Sequence, residues 1–512
     1  MKLIAGGIVF CSLIGSSLGT PLPASDPRLH FSAADIAEQL REYQQNIPQF
    51  HLKLPLKKSL HSGQETQIHY SPEMKIHWRK QFFPLDMENE DKSAIKVEDR
   101  VEDLVEHPDL IRNIRVMEEK KLTAGIVKTQ PWSDTYWPVY AGILGARYAD
   151  KEFIVNNDFL DYYHYVQKAP ALNIYGGGDK EKIDLLSPAE KFDLLLGTNQ
   201  TILTQKLWDE GNSYQEANGQ VESWMGICHG WAPASFMNVR PLHKVTVMSA
   251  DGKTPLTFYP SDIKGLLSLS WAKGNVHTRF IGGRCNEKEP QMDETTGRTL
   301  PQECFDNNPG SWHMSIVNKV GVHKESFVLD ATYDYEVWNQ PILSYSYKYF
   351  NVKNQQSFDN FKDAKVALTD HPQDTYKKYR SPQAKALVGV AMELIYMSET
   401  NPTHREMDDE KRDSQSSALY LYDLELDDKD NIVGGEWYQN YHPDFLWTPD
   451  LNARPYTSYD YFLLGSRNWD GQQTLSPTWK DNALKAAKQG RPLFRLVESL
   501  LEMSLSPMPV TE

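Results

Sequence analysis

The chain has 512 residues and a net charge of −15, from 54 basic and 69 acidic side chains. This charge disfavours nucleic acid and anionic membranes as partners, because both are polyanions that attract basic surfaces. The length is too great for one small core and predicts two or three domains. After the first residues no apolar segment approaches the roughly 18 residues of a membrane span, so we expect no membrane anchor.

The first 19 residues predict a secretory signal peptide. Lys2 supplies the charged start, residues 3–14 form a short apolar run, and residues 17–19 give a small-x-small cleavage site. Cleavage would remove one positive charge, Lys2, and change the net charge from −15 to −16. We therefore expect a secreted protein, either extracellular or periplasmic.

Residues 20–125 predict a helical N-terminal region. Ser32 opens a capped helix, and residues 97–121 contain two further helical patterns that are interrupted at His107 and Pro108. We interpret the region as a helical domain. A removable pro-segment is the alternative, because many exported cysteine enzymes begin inactive.

The remainder of the chain predicts two parts. Residues 126–374 hold the candidate catalytic residues and form the predicted core, whereas residues 375–512 predict a β-rich C-terminal region. Its predicted elements are strands over residues 384–397, 418–426 and 432–438 and helices over residues 479–489 and 492–503.

One cysteine in the predicted core lies where a helix can begin. Gly226 and Gly230 bracket Cys228, so the backbone can bend sharply there. The N-terminal turn of a helix presents free N–H groups and partial positive charge, which lower the pKa of a thiol and stabilise the nucleophilic thiolate. The alternative is a buried structural cysteine, since free cysteine is among the most buried residue types.

Three cysteines remain after the predicted cleavage, and an odd number leaves one thiol unpaired. Cys285 and Cys304 flank a polar loop, and export would place them where disulfides persist. We expect these two to form a disulfide that stabilises the fold by about 3 kcal/mol. Cys228 would then be the free thiol; the alternative is that all three are reduced and inert.

A histidine and an aspartate that could serve the thiol lie farther along the chain. Residues 312–319 have a strand pattern, Gly321 marks a turn, and residues 325–332 predict the returning strand. In such a hairpin His313 and Asp330 would be roughly 5 Å apart if they were directly opposed. A Cys–His pair needs a third group of this kind to hold the imidazole tautomer and stabilise its charged form.

Other assignments of these residues stay open. His313 and Asp330 are also consistent with a satisfied structural histidine and a turn aspartate. His229 and His323 compete with His313 for the role of base, and Asp334 is the reserve for Asp330. The sequence contains no Cys-x-x-Cys, His-Glu-x-x-His or EF-hand spacing, so we predict no metal ligands and no certain cofactor, and we leave a calcium requirement open.

The cysteine segment resembles a known family. Residues 224–235, WMGICHGWAPAS, resemble the active-site segment of the transglutaminase elicitor family of plant-pathogenic oomycetes and some bacteria. Residues 335–341, YEVWNQP, resemble the start of the peptide that plants recognise in oomycete members. Residues 342–347 depart from that pattern, so we do not predict plant-defence activity. The similarity spans roughly residues 130–450.

The resemblance implies an α+β fold with a papain-like or transglutaminase-like cysteine-enzyme core. It also implies the roles of Cys228 as nucleophile, His313 as base and Asp330 as the residue that orients the base. Papain-like enzymes often have a glutamine where this chain has Glu222, so that oxyanion donor does not transfer. Trp224 offers an indole N–H in its place, as a tryptophan does in animal transglutaminases, and the backbone N–H of Cys228 is the other candidate.

We therefore predict a secreted protein-glutamine γ-glutamyltransferase. Its partners would be proteins that supply a glutamine and a lysine or other primary amine, and reaction with water would deamidate the glutamine instead. Trp231, Trp312 and Trp338 are candidates for the wall of a substrate cleft that limits access of water. The alternatives are a papain-like cysteine peptidase or amidase with the same triad, and a non-enzymatic wall or carbohydrate-binding protein.

Overall fold

The computed structural model describes residues 30–60, 99–153, 156–283, 291–301, 307–332 and 336–506. The predicted signal peptide, the cysteines of the predicted disulfide (Cys285 and Cys304) and Asp334 lie outside these residues. Within them, helices combine with one large antiparallel sheet, which confirms the predicted α+β class. None of the helices described here is both long and apolar enough to cross a bilayer.

The helices and strands are named in chain order. The helices are α1 (Ala33–Gln45), α2 (Ile47–His51), α3 (Val101–Leu104), α4 (Ile114–Glu119), α5 (Phe159–Lys168), α6 (Ala171–Gly177), α7 (Lys180–Asp184), α8 (Pro188–Leu196), α9 (Ile202–Asn218), α10 (Cys228–Met237), α11 (Pro260–Ala272), α12 (Pro309–Ile316), α13 (Phe361–Ala364), α14 (Ser458–Tyr461), α15 (Pro477–Ala487) and α16 (Phe494–Leu505). The strands are β1 (Leu56–Ser59), β2 (Ala124–Ile126), β3 (Val245–Met248), β4 (Pro255–Phe258), β5 (Thr278–Gly282), β6 (Val328–Asp330), β7 (Asn339–Phe350), β8 (Ser357–Phe358), β9 (Val366–Ala367), β10 (Ala386–Ser398), β11 (Ser414–Leu426), β12 (Ile432–Trp437) and β13 (Phe445–Pro449).

The large sheet has the strand order β1-β11-β10-β7-β6-β13-β5, and short strands pair at its sides. Its centre is formed by β7, β10 and β11, which have 12 or 13 residues each. These strands are buried at nearly every position because both faces of the sheet are covered. On β11, Tyr420 and Tyr422 lie in one apolar cluster with α12, whereas Leu419 and Leu421 lie in another with α1.

A second core consists mainly of helices. It contains residues of α8, α9, α10, α11, α15 and α16, including the fully buried Trp231. Helix α10, which begins at Cys228, packs against α11 on one side and contacts β7 on the other. The start of α10 therefore lies between the helical core and the sheet.

Several predicted elements are confirmed with small shifts at their ends. In the C-terminal region these are β10, the hairpin of β11 and β12, and the closing helices α15 and α16. The helix after Ser32 is also confirmed as α1, where the Ser32 hydroxyl accepts a hydrogen bond from the backbone N–H of Asp35 at 3.1 Å.

The prediction of a strand over residues 312–319 is wrong. This segment forms α12 and continues directly into a π-helical turn, Val317–Val322. Pro309 occupies the first turn and the side chain of Asn308 accepts a hydrogen bond from the N–H of Gly310, both of which favour a helix start. The segment is buried on every side, so it lacks the one-sided periodicity that separates helix from strand.

The described parts of residues 20–125 contribute strands as well as helices. Strand β1 pairs with β11, and β2 pairs with β7, so both belong to the large sheet. His30 adds a further tie, because its backbone N–H donates to the buried carboxylate of Glu393 on β10 at 2.6 Å. The domain boundaries remain predictions.

Close contact between α10 and α11 depends on Gly230. A Cβ atom at this position would lie 2.1 Å from the carbonyl oxygen of Ser268 and 2.6 Å from the Cβ of Ala272. We predict that Gly230→Ala lowers the free energy of unfolding by about 1–3 kcal/mol, since the two backbones must separate. Urea unfolding followed by circular dichroism measures this change.

Gly176→Ala in α6 is the matched control for this prediction. Nothing lies within 4 Å of a Cβ built at Gly176, so we expect no loss of stability there. Equal unfolding midpoints for Gly230→Ala and the unmodified protein would contradict the need for close packing at the start of α10.

Candidate active site around Cys228

The backbone before α10 is held against the aromatic segment at residues 131–140. The N–H of Ile227 donates to the carbonyl of Tyr136 at 2.7 Å. A Cβ at Gly226 would lie 2.4 Å from the same carbonyl oxygen, so only glycine permits this approach. Cys228 follows as the first residue of the helix and is 5% exposed.

Two neighbours hold the thiol of Cys228. The sulfur donates to the carbonyl oxygen of Val337 at 3.6 Å and accepts from the side-chain amide of Asn339 at 3.5 Å. The orientation of that amide is fixed, because its oxygen accepts from the indole N–H of Trp447 at 2.7 Å. Asn339 is the first residue of β7, so the thiol faces one end of the central strand.

Burial raises the pKa of the Cys228 thiol to about 11. The hydrogen bonds from Asn339 act in the opposite direction, and the negative charges of Glu399 and Asp330 raise the pKa further. The prediction that this pKa is lowered overall is therefore wrong for the described conformation. The thiol is protonated at neutral pH.

Asp330 lies beside the same end of β7. It is the last residue of β6 and pairs directly with Asn339 in the antiparallel register. Its fully buried carboxylate accepts hydrogen bonds from the backbone N–H of Trp338 at 3.0 Å and from the hydroxyl of Thr332 at 2.8 Å. The structure thus brings Asp330 into the neighbourhood of Cys228 through Asn339.

His313 lies elsewhere, in the aromatic core under the sheet. Its Nδ1 is 2.8 Å from the hydroxyl of Tyr422, and its ring centroid is 4.8 Å from that of Tyr347. Burial lowers the pKa of His313 to about 3, so the imidazole is neutral. Tyr347 is eight residues beyond Asn339 on β7, a distance of about 26 Å along an extended strand. The predicted pairing of His313 with Asp330 is therefore wrong, because α12 replaces the expected hairpin strand.

The two competing histidines do not take the place of His313. Burial lowers the pKa of His229 to about 4, and the positive charge of Lys273 lowers it further. His323 follows the π-helical turn, and its Nε2 lies 3.4 Å from the carboxylate of Asp109. Among the described residues, the hydrogen-bond partners of the Cys228 sulfur are Val337 and Asn339, and neither is a histidine.

The predicted tryptophans have different environments. Trp231 and Trp312 are fully buried in the two cores, so neither lines a cleft in this conformation. Trp338 packs against Tyr136 with ring centroids 5.0 Å apart, next to Asn339. The indole N–H of Trp224 donates to the carboxylate of Glu222 at 2.5 Å.

Sequence reasoning did not identify Asn339 and Glu399 as site residues. Glu399 lies just beyond β10 and accepts a hydrogen bond from the side chain of Gln340 at 2.5 Å. Burial raises the pKa of Glu399 to about 7, and its charge acts on Cys228. Asn339 and Gln340 do lie within the YEVWNQP motif, but the position of Glu399 depends on the pairing of β10 with β7.

A cavity of about 300 Å³ lies apart from this site. It is lined by residues of β12 and its surroundings, including Arg298, Glu425 and Glu436, and it does not include Cys228. We therefore assign the candidate active site from the chemistry around the thiol.

The fold and the site define an α+β protein with a buried free thiol at the start of a helix, facing one end of an antiparallel sheet. Residues 208–460 match the model of the transglutaminase elicitor family. The matched residues include Cys228, Asp330 and Asn339, and the resemblance to this family that the sequence predicted is confirmed.

Comparison with solved structures found the crystal structure of the GP42 transglutaminase from Phytophthora sojae. The two proteins are 21% identical over 72% of this chain and 91% of that chain, with a TM-score of 0.44. The comparison with curated proteins found no match.

Because its pKa is raised, we predict that the Cys228 thiol is alkylated slowly at neutral pH. With a pKa near 11, only about one thiol in ten thousand is ionised at pH 7, and the thiolate is the reactive form. We expect the rate of reaction with iodoacetamide to rise continuously from pH 7 to pH 10. Mass spectrometry of the peptide that contains Cys228 measures this rate separately from the other cysteines. A rate that is already constant between pH 6 and pH 8 would contradict the prediction.

We predict that the ionisation of Glu399 lowers the stability of the folded protein as the pH rises. Its pKa is raised from 4.5 to about 7 in the folded protein, so the folded state binds more protons than the unfolded state between these values. Between pH 4.5 and pH 7, the free energy of unfolding of the unmodified protein should fall by on the order of 3 kcal/mol relative to that of Glu399→Gln. Unfolding midpoints of both proteins at pH 5, 6, 7 and 8 measure the difference.

Glu38→Gln is the control for that comparison, because Glu38 is largely exposed on α1. It should give the same pH dependence as the unmodified protein. If Glu399→Gln also behaves like the unmodified protein, Glu399 is not a buried group that ionises near neutral pH.

Proposed function

We propose that this protein is a protein-glutamine γ-glutamyltransferase that joins glutamine side chains to primary amines through a thioester on Cys228. The observation that carries the proposal is the family match, because it covers the helix start at Cys228 and the strands that bring Asn339 and Asp330 to it. We also propose, from the resemblance to this family, that the core is related to papain-like enzymes and that the protein is secreted.

The proposed reaction has two steps. The sulfur of Cys228 attacks the γ-carboxamide carbon of a glutamine and a C–S bond forms. The C–N bond breaks, and the proton lost by the thiol passes to the departing nitrogen, which leaves as ammonia and gives the thioester. A lysine amine then attacks the thioester carbon, the C–S bond breaks, and the amine proton returns to the sulfur as the isopeptide forms. Water in place of the amine yields glutamate, which is deamidation.

The start of α10 can stabilise the negative charge that would develop on the carbonyl oxygen of the substrate during the reaction. The N–H of Cys228 is the first of the helix and is nearest to the sulfur, whereas the N–H of Gly230 already donates to the carbonyl of Ile227 at 2.9 Å. The indole of Trp224 would be the second donor, which requires it to leave Glu222. A substrate must also displace the contacts of Val337 and Asn339 with the thiol.

We propose a carboxyl group, and not His313, as the proton acceptor. Moving His313 to the thiol would break its hydrogen bond to Tyr422 and unpack α12 from the sheet. Glu399 accepts a hydrogen bond from Gln340, the neighbour of Asn339 on β7, and its charge acts on Cys228. Its pKa of about 7 suits proton exchange near neutral pH. A bridging water would carry the proton between the two groups.

The test of this proposal is incorporation of a fluorescent primary amine into casein, with ammonia release and casein fragments followed together. We expect incorporation by the unmodified protein and none by Cys228→Ala, because the thioester cannot form. Glu399→Gln should reduce the rate at least tenfold and remove the dependence on a group with a pKa near 7. His313→Gln should keep most of the activity and lower the unfolding midpoint, because it disturbs a buried contact.

The opposite results identify the alternatives. Casein fragments without amine incorporation would indicate a cysteine peptidase or amidase. If His313→Gln loses activity but keeps its unfolding midpoint, His313 and not Glu399 is the base. A folded protein with neither activity, before and after mild proteolysis, would contradict the transferase proposal.

A further inference from the structure

A cluster of two histidines and an aspartate lies away from Cys228. His107 and Asp109 belong to the connection between α3 and α4, and His323 follows the π-helical turn. One potential ligand atom from each of the three residues lies within 4.8 Å of those of the other two. Cys228 and Asp330 take no part in this cluster, so it is independent of the proposed active site.

The two imidazoles are held face to face. The ring centroids of His107 and His323 are 3.5 Å apart with an angle of 12° between the planes. The Nε2 of His323 lies 3.4 Å from the carboxylate of Asp109 and is buried without a hydrogen-bond partner among the described residues. What distinguishes this buried nitrogen is its position beside both a carboxylate and a second imidazole, which together offer three ligand atoms at one place.

The surrounding contacts hold the cluster in place before any ligand binds. Asn318 accepts a hydrogen bond from the N–H of Ile111 at 2.8 Å and donates to its carbonyl at 2.9 Å, which fixes the connection against the π-helical turn. Glu325 bonds the Nε2 of His107 at 3.0 Å and is itself paired with Lys319 at 2.7 Å. A carboxylate on one imidazole nitrogen orients the ring and leaves the other nitrogen for a metal.

We propose that His107, Asp109 and His323 bind one divalent transition-metal ion of the zinc class. Two imidazole nitrogens and one carboxylate oxygen are a ligand set suited to Zn²⁺, with a fourth position for water. Calcium does not fit, because it takes oxygen ligands in larger numbers. Binding requires the stacked rings to tilt so that their lone pairs converge, and Asp109, whose side chain is 66% exposed, is able to follow.

Such an ion would connect two parts of the chain that are distant in sequence. His107 and Asp109 lie in the predicted N-terminal region, whereas His323 lies five residues before β6, which ends at Asp330. The ion would therefore link the N-terminal region to the segment that leads into the candidate active site. Its expected role is to hold this connection.

Zinc titration of the full-length protein, after treatment with a chelator, tests the proposal. We expect one Zn²⁺ per chain with a dissociation constant below about 1 µM, and an unfolding midpoint that rises with added Zn²⁺. His323→Gln and Asp109→Asn should each weaken binding at least tenfold, and Ca²⁺ should not compete. We expect Asp109→Asn to fold normally because its side chain is largely exposed, so weaker binding by this variant cannot result from misfolding.

His277→Gln is the matched control, since His277 is exposed and its Nδ1 lies 2.8 Å from the carboxylate of Asp450. It should bind Zn²⁺ as the unmodified protein does. Glu325→Gln should weaken binding through the orientation of His107, by about 10–100-fold. Zinc binding that is equal in the unmodified protein, His323→Gln and Asp109→Asn, or no zinc binding at all, would overturn the proposal.

Discussion

The pairing of β10 with both of its neighbours is the constraint on which the candidate site depends. β10 is aligned with β11 from Ala386 to Ser398, and with β7 from Gly389 to Tyr396. A slip of one residue would exchange the two faces of a strand, and both faces here are packed against apolar clusters. On its other side β7 pairs with β6, so Asn339 at the beginning of β7 lies beside Asp330 and contacts the start of α10.

Burial and the helix N-terminus act on the Cys228 thiol in opposite directions. A helix terminus contributes roughly 0.3–1 kcal/mol, which is less than one pKa unit, whereas removal of a charged group from water shifts a pKa by up to several units. Burial is the larger effect, so the pKa of the thiol rises, and the charges of Asp330 and Glu399 increase it further. The same removal from water raises the pKa of Glu399 to about 7. The described conformation therefore combines a protonated thiol with a carboxyl that exchanges its proton near neutral pH.

The aromatic core explains the position of His313. Its ring packs against Tyr347 and its Nδ1 pairs with the hydroxyl of Tyr422, so the sheet holds the histidine as a neutral core residue. Its Nε2 is buried without a hydrogen-bond partner among the described residues, and burial keeps the ring uncharged by lowering its pKa to about 3. A histidine at the expected place in the sequence is thus insufficient evidence for a base, because the secondary structure of its segment decides which groups it meets.

Local sequence determined the elements with strong periodicity or capping. It predicted α1 from Ser32, the hairpin of β11 and β12 from alternation around a turn, and the helix start at Cys228. It also identified the family from a short motif, which the match over residues 208–460 confirms. Tertiary structure decided the neighbours of the thiol, since strand pairing between distant segments brings Asn339 into contact with it and brings the charges of Asp330 and Glu399 close enough to act on it. It also decided that residues 312–319 are helical, because a segment buried on every side has no periodicity from which its structure can be predicted.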